Sequence, residues 1–171
     1  MKRILFTLVL VSIALSAYSQ KNLSLGIKSG YSRMNGYNLK GMQYGVDVAY
    51  QFGYAIEAAV TGIYSPALPS SYTGYDYSLL SASLDLRFYL IQQEIWGTGP
   101  AIGGQFFSLK NKNEEYGADN LPGFNLGWHA RVFITDDRNL QLNGGWRYTN
   151  AQTEHAYHLF YLGLAYTLDI R

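Results

Sequence analysis

The chain has 171 residues, enough for one domain, with 13 Lys and Arg against 12 Asp and Glu and no cysteine. That balance leaves no electrostatic footprint for a nucleic-acid partner, and the missing cysteines exclude a disulfide framework, a thiolate metal site and a lipidated cysteine. Charged residues are scarce at 15% and aromatics plentiful at 16%, with 16 Tyr and 18 Gly, which fits neither a soluble helical domain nor a disordered tail.

Residues 1–19 read as a cleaved signal peptide, leaving 20–171 as the mature domain. Lys2 and Arg3 start the segment, and Ile4 to Leu15 is apolar apart from Thr7 and Ser12. Ala17 and Ser19 then place small residues at −3 and −1 if cleavage follows Ser19. An apolar run this short suits export better than a spanning helix, which needs about 20 residues. The plain alternative is a buried core helix. Removing Lys2 and Arg3 from the 13 basic residues leaves 11 against 12 acidic ones. No later segment is long and apolar enough to span as a helix. A mature chain in a membrane is therefore expected to close into a barrel, because open sheet edges strand backbone groups in lipid.

After Gln20 the polarity repeats every two residues, the period of a strand. Eight strands are predicted. The first, Leu23 to Ser32, sets Leu25, Ile27 and Tyr31 against Gly26, Lys28 and Gly30. The second, Gly41 to Phe52, sets Met42, Tyr44, Val46, Val48, Tyr50 and Phe52 against Gln43, Asp47 and Gln51. The third, Ala55 to Ser65, opposes Ile56, Val60 and Tyr64 to Glu57 and Thr61. The fourth, Ser78 to Leu90, opposes Leu80, Leu84, Leu86 and Phe88 to Ser83, Asp85 and Arg87. The fifth, Trp96 to Ser108, is the weakest. It is rich in Gly, and Pro100 predicts a bulge or a late start. The sixth, Gly123 to Ile134, sets Phe124, Leu126, Trp128 and Val132 against Asn125, His129 and Arg131. The seventh, Asn139 to Thr149, sets Leu142, Trp146 and Tyr148 against Gln141, Asn143 and Arg147. The eighth, Leu159 to Ile170, sets Phe160, Leu162, Leu164, Tyr166 and Leu168 against Tyr161, Gly163, Thr167 and Asp169.

The connections are expected to alternate in length. Phe52-Gly53-Tyr54, Ile91 to Ile95 and Thr135 to Arg138 are short, while Met34 to Lys40, Pro66 to Tyr77, Leu109 to Pro122 and Asn150 to His158 are longer and polar. Short periplasmic turns and longer outer loops mark a transmembrane barrel, and an even strand count returns both ends to the periplasmic side.

A water-soluble barrel would alternate too, with its apolar face inside. Three features favour the reverse. The polar face is mostly small residues, which suit the crowded lumen of eight strands. Its charges balance: Lys28, Arg87, Arg131 and Arg147 against Asp47, Glu57, Asp85 and Asp169, as an enclosed network requires. Tyr31, Tyr50, Phe52, Tyr64, Phe88, Trp96, Tyr148 and Tyr166 fall near strand ends on the apolar face, where interfacial girdles lie.

On this pattern, the signal segment and the closing Phe160-Tyr-Leu-Gly-Leu-Ala-Tyr-Thr-Leu, Lys21 to Arg171 resembles the small outer-membrane β-barrels of the OmpA and OmpX kind. The resemblance implies an all-β, eight-stranded, antiparallel up-and-down barrel in the outer membrane. Members often end in an aromatic residue, whereas this chain ends Ile170-Arg171.

The chemistry is sparser. Lys28, Asp47, Glu57, Asp85, Arg87, His129, Arg131 and Arg147 are expected to form a charge network filling the lumen. Its function could be structural, or it could line a narrow solute pore, although eight strands leave barely enough width for side chains. His129 is expected to fill space. His155 and His158 lie near Glu154 but give no convincing metal site. Arg147-Tyr148-Thr149-Asn150-Ala151 is similar to the His-x-Ser-Asn segment of outer-membrane lipid A deacylases, in which His is the base and Ser the nucleophile. Arginine at the base position cannot accept a proton at neutral pH. The leading expectation is a non-enzymatic barrel without cofactor or metal, monomeric and embedded in outer-membrane lipid. Its outer loops would meet an extracellular ligand or surface partner, with Tyr72, Tyr75, Tyr77 and Tyr116 as contact residues.

Overall fold

The computed structural model describes residues 21–36, 38–53, 55–71, 73–113, 118–151 and 155–169. The expected signal segment, Tyr72, Tyr116, Glu154, Ile170 and Arg171 lie outside the described residues, as does the His155 side chain.

Eight long strands form: β1 Lys21–Met34, β2 Leu39–Phe52, β3 Ile56–Pro69, β4 Asp76–Phe88, β5 Trp96–Asn111, β6 Ala118–Phe133, β7 Leu140–Ala151 and β8 His155–Asp169. Each pairs antiparallel with the next, β4 with β5 included, and β1 pairs with β8 along Asn22↔Asp169 to Met34↔Tyr157. The sheet therefore closes on itself as an up-and-down barrel and leaves no edge unpaired. A two-residue strand, Ile91–Gln92, folds back on Gly97 and Thr98 before β5.

The predicted alternation holds in every strand. Ile27, Leu80 and Leu84 point outward and are 68%, 59% and 60% exposed, whereas Glu57, Asp85 and Arg87 point inward at 2%, 1% and 2%. An apolar belt of this extent has no cover among the described residues, and acyl chains are the solvent that suits it.

Three expectations need correction. The long connections are not long loops. Residues 35–38, 70–75, 112–117 and 152–154 join strands at the end opposite the termini, against 53–55, 89–95 and 134–139 at the terminal end. The residues assigned to long loops pair instead, as Arg33↔Lys40, Pro69↔Asp76 and Lys110↔Ala118 show. Strands of 12 to 16 residues at about 3.3 Å per residue and about 40° tilt stand roughly 30–40 Å tall. The apolar band needs about 25 Å. The excess lies at the far end, where Arg33, Lys40, Asp76 and Lys110 point outward and exposed. At the terminal end, by contrast, apolar Leu90, Ile91, Ile95 and Ile134 sit exposed in the turns themselves.

The second correction concerns proline. Pro100 makes no bulge. It pairs with Trp128 one residue beyond the end of the β4–β5 ladder at Arg87↔Ala101, where a missing N–H is tolerated. The irregularity lies between Ser65 and Leu68, at Pro66. The third concerns Asp169, which is exposed at the terminal mouth. Among the described residues the enclosed charges are thus Lys28, Arg87, Arg131 and Arg147 against Asp47, Glu57 and Asp85, four positive against three negative.

The lumen has two layers. Along β4 the inward residues run Arg87, Asp85, Ser83, Ser81, Leu79 and Tyr77 from the terminal end outward, polar first and apolar last. The same change occurs on β1, β2, β3, β5, β6 and β8, whereas the described inward residues of β7 stay polar to Thr149. Met34, Leu39, Leu68, Leu79, Phe107 and Tyr157 belong to one buried cluster that closes the far end. There the sheet is apolar inside and polar outside, the reverse of its membrane section and the usual pattern beside water. Tyr77, expected as an exposed contact, is 8% exposed inside this plug, while Tyr75 is exposed in the 70–75 connection.

Candidate functional site

Register assembles the charge network. Glu57 of β3 lies opposite Arg87 of β4 and Gln51 of β2, and Asp47 lies opposite Gly26 of β1 and Thr61 of β3. Arg87 spans both carboxylates: Nη1 donates to Asp47 Oδ2 at 2.9 Å and Glu57 Oε1 at 2.6 Å, and Nη2 donates to Asp47 Oδ1 at 2.8 Å. Lys28 Nζ donates to Asp47 Oδ1 at 2.8 Å and to Thr61 Oγ1 at 3.1 Å. Lys28 has the width it needs because Gly45 and Gly163 face it from both neighbouring strands. A Cβ on Gly163 would stand 2.9 Å from Lys28 Cβ and 2.5 Å from the Ile27 carbonyl oxygen.

Arg131 is held differently. Its Nη1 donates to Gln51 Oε1 at 3.0 Å and lies 3.5 Å from Glu57 Oε2, and its guanidinium covers the Tyr89 ring at 3.8 Å. Tyr89 donates its hydroxyl to Glu57 Oε2 at 3.1 Å. A second cluster centres on Asp85, which accepts from Arg147 Nη2, from Ser83 Oγ at 3.1 Å and from Asn125 Nδ2 at 2.9 Å. His129 Nδ1 lies 2.9 Å from the Tyr161 hydroxyl, with Lys28 Nζ 4.9 Å from the centre of that ring. All eight expected network residues thus face the lumen, seven in ion pairs and His129 beside them.

The reading by residue type missed Tyr89, although its place two residues after Arg87 gives it the same inward face. It also missed the apolar plug. Two voids between these side chains measure about 10 Å³ each, one beside Asp85 and Arg147 and one beside Lys28 and His129. Each holds one water at most. Above them the plug is tied to the polar layer by Tyr157, whose hydroxyl donates to Gln43 Oε1.

The remaining candidates do not converge. Thr149 is fully buried in the lumen and donates to Asn125 Oδ1 at 2.7 Å, with Gln105 Oε1 3.1 Å away. Arg147 beside it is committed to Asp85 and Ser83. A lipid-cleaving pair there would have its back to the acyl chains. His158 points outward, stacked on Trp146 at 6.2 Å and against Tyr148 at 5.1 Å. Among the described residues no group of three or more His, Cys, Asp and Glu is placed to hold a metal.

No family model matches the chain, and no curated protein does. Solved structures do. Neisserial surface protein A superposes with a TM-score of 0.67 at 12% identity, covering 84% of this chain and 96% of that one. The N-terminal β-barrel domain of OprF from Pseudomonas aeruginosa gives 0.62 at 15% identity, covering 87% and 100%. The chain has the fold of the small eight-stranded outer-membrane β-barrels. Ail, the attachment invasion locus protein of Yersinia pestis, solved with the heparin analogue sucrose octasulfate, gives 0.62 at 14% identity, covering 87% and 99%.

Proposed function

We propose that the protein is a non-enzymatic outer-membrane barrel that presents its far end to the outside as an interaction surface and conducts nothing. The observation that carries this reading is the doubly sealed lumen: an ionic layer from Lys28 to Arg147 and an apolar plug around Phe107 and Tyr157. Solute passage would require breaking buried ion pairs and unpacking the plug together. The network serves register and rigidity, since a buried ion pair adds little stability over an apolar filling of the same volume.

The far end faces outward in this reading. β1 begins and β8 ends at the other end, and the sheet overhangs the apolar belt only on the far side. The overhang gives a rigid polar rim on which Tyr75 and the short connections meet a partner, and the barrel works as a monomer. Ail, of the same fold, was solved with a sulfated ligand, which supports a surface-binding role. Reconstitution into liposomes tests the proposal. Unboiled protein should migrate differently from boiled protein on a gel, and planar bilayers should show no unitary currents. Steady single-channel conductance would replace this reading with the pore.

A further inference from the structure

Two rows of side chains cross the outer surface of β7, β8, β1 and β2 at the far interface. The lower row is Trp146↔Phe160↔Tyr31↔Met42, the upper Tyr148↔His158↔Arg33↔Lys40. The lower row closes the apolar belt, with Phe160, Tyr31 and Met42 58%, 48% and 49% exposed. The upper row begins the polar rim, and Arg33 and Lys40 are exposed.

Arg33 and Lys40 are like charges directly opposite each other in an antiparallel pair, which is unfavourable unless an anion lies between them. Among the described residues, no carboxylate lies within 4.0 Å of Arg33, Lys40 or His158. The surface there is concave. A cavity of about 570 Å³ is lined by Tyr31, Arg33, Asn35, Asn38, His158 and Phe160. It has aromatic rings at its base, amides at its upper edge and a guanidinium between them.

We infer that this cavity holds the phosphate-bearing headgroup of an outer-leaflet glycolipid. The inference rests on the outward orientation of the far end proposed above. Arg33 offers a planar fork for two phosphate oxygens, Lys40 supplies a second charge, and Asn35 and Asn38 reach sugar hydroxyls. Tyr31 and Phe160 sit against the first carbons of the acyl chains, where interfacial aromatics belong. The occupant needs a phosphate at headgroup height and acyl chains directly beneath it, which the two stacked rows match and a soluble anion does not.

Native mass spectrometry in a non-ionic glucoside detergent tests this. The probes are lipid A with both phosphates, the same lipid dephosphorylated, and inorganic phosphate. The wild type should bind the phosphorylated lipid roughly tenfold more tightly than the dephosphorylated one. The double variant Arg33→Gln, Lys40→Gln should lose that preference while keeping its heat-dependent gel migration, and Lys110→Gln should keep both. Equal binding of the two lipids, a double variant that keeps the preference, or displacement by millimolar inorganic phosphate would overturn the inference. A chain without heat-dependent migration would instead overturn the barrel reading beneath it.

Discussion

Arg87→Met is the substitution that reports most sharply on the lumen. It keeps much of the side-chain volume and removes three charge-assisted bonds, at 2.9 and 2.8 Å to Asp47 and 2.6 Å to Glu57. Asp47 still has Lys28 at 2.8 Å. Glu57 is left with the Tyr89 hydroxyl at 3.1 Å and Arg131 at 3.5 Å, so it becomes the stranded charge. Removing one partner of a buried pair costs about 3–5 kcal/mol, chiefly through the unpaired group that remains. The double variant Arg87→Met, Glu57→Gln removes the stranded charge and should lose about 2 kcal/mol less than Arg87→Met alone. Urea unfolding from lipid vesicles, followed by tryptophan emission and by gel migration, measures both losses. A loss below about 1 kcal/mol for Arg87→Met, or strict additivity in the cycle, would refute the bridged arrangement.

Three other substitutions test separate parts of the fold. Leu84→Arg places a charge mid-belt on the outer face and should cost about 2–4 kcal/mol in vesicles, whereas Lys110→Leu on the water-facing rim should change stability by under about 0.5 kcal/mol. Gly163→Ala pushes a methyl against Lys28 and the Ile27 carbonyl, and should cost about 1–3 kcal/mol in the same unfolding assay. Phe107→Ala empties a fully buried site packed edge-on against Tyr157 at 4.9 Å and should cost about 3–5 kcal/mol. It should still give no current in planar bilayers, because the ionic layer below the plug is untouched.

The eight strands and their inward faces were legible because membrane and lumen impose opposite polarities on alternate residues. The period puts Lys28, Asp47, Glu57, Asp85, Arg87, Arg131 and Arg147 on one face, their balance of charge and small neighbours turn that face inward, and all seven are buried. Asp169 obeys the same period but sits at the terminal mouth, and alternation carries no information about height. The plug was illegible for a related reason. At the far end the polarity inverts, so Asp76, Ser78 and Lys110 point outward while Tyr77, Leu79 and Leu109 point inward. An inverted pattern read against a membrane template looks like the end of a strand, so Asp76, Tyr77, Leu109 and Lys110 read as loop. The inversion is visible in Phe107-Ser108-Leu109-Lys110 once a strand is allowed to leave the membrane. Ion-pair partners were not legible, because register across several strands decides that Arg87 spans both Asp47 and Glu57.

The chain has no native cysteine, so single nitroxide labels can be attached at will. In lipid vesicles, labels at Leu84, Val48 and Trp128 should collide readily with dissolved oxygen and hardly at all with a water-soluble nickel chelate. Nickel contact exceeding oxygen contact at those three sites would place the apolar face in water and contradict the account.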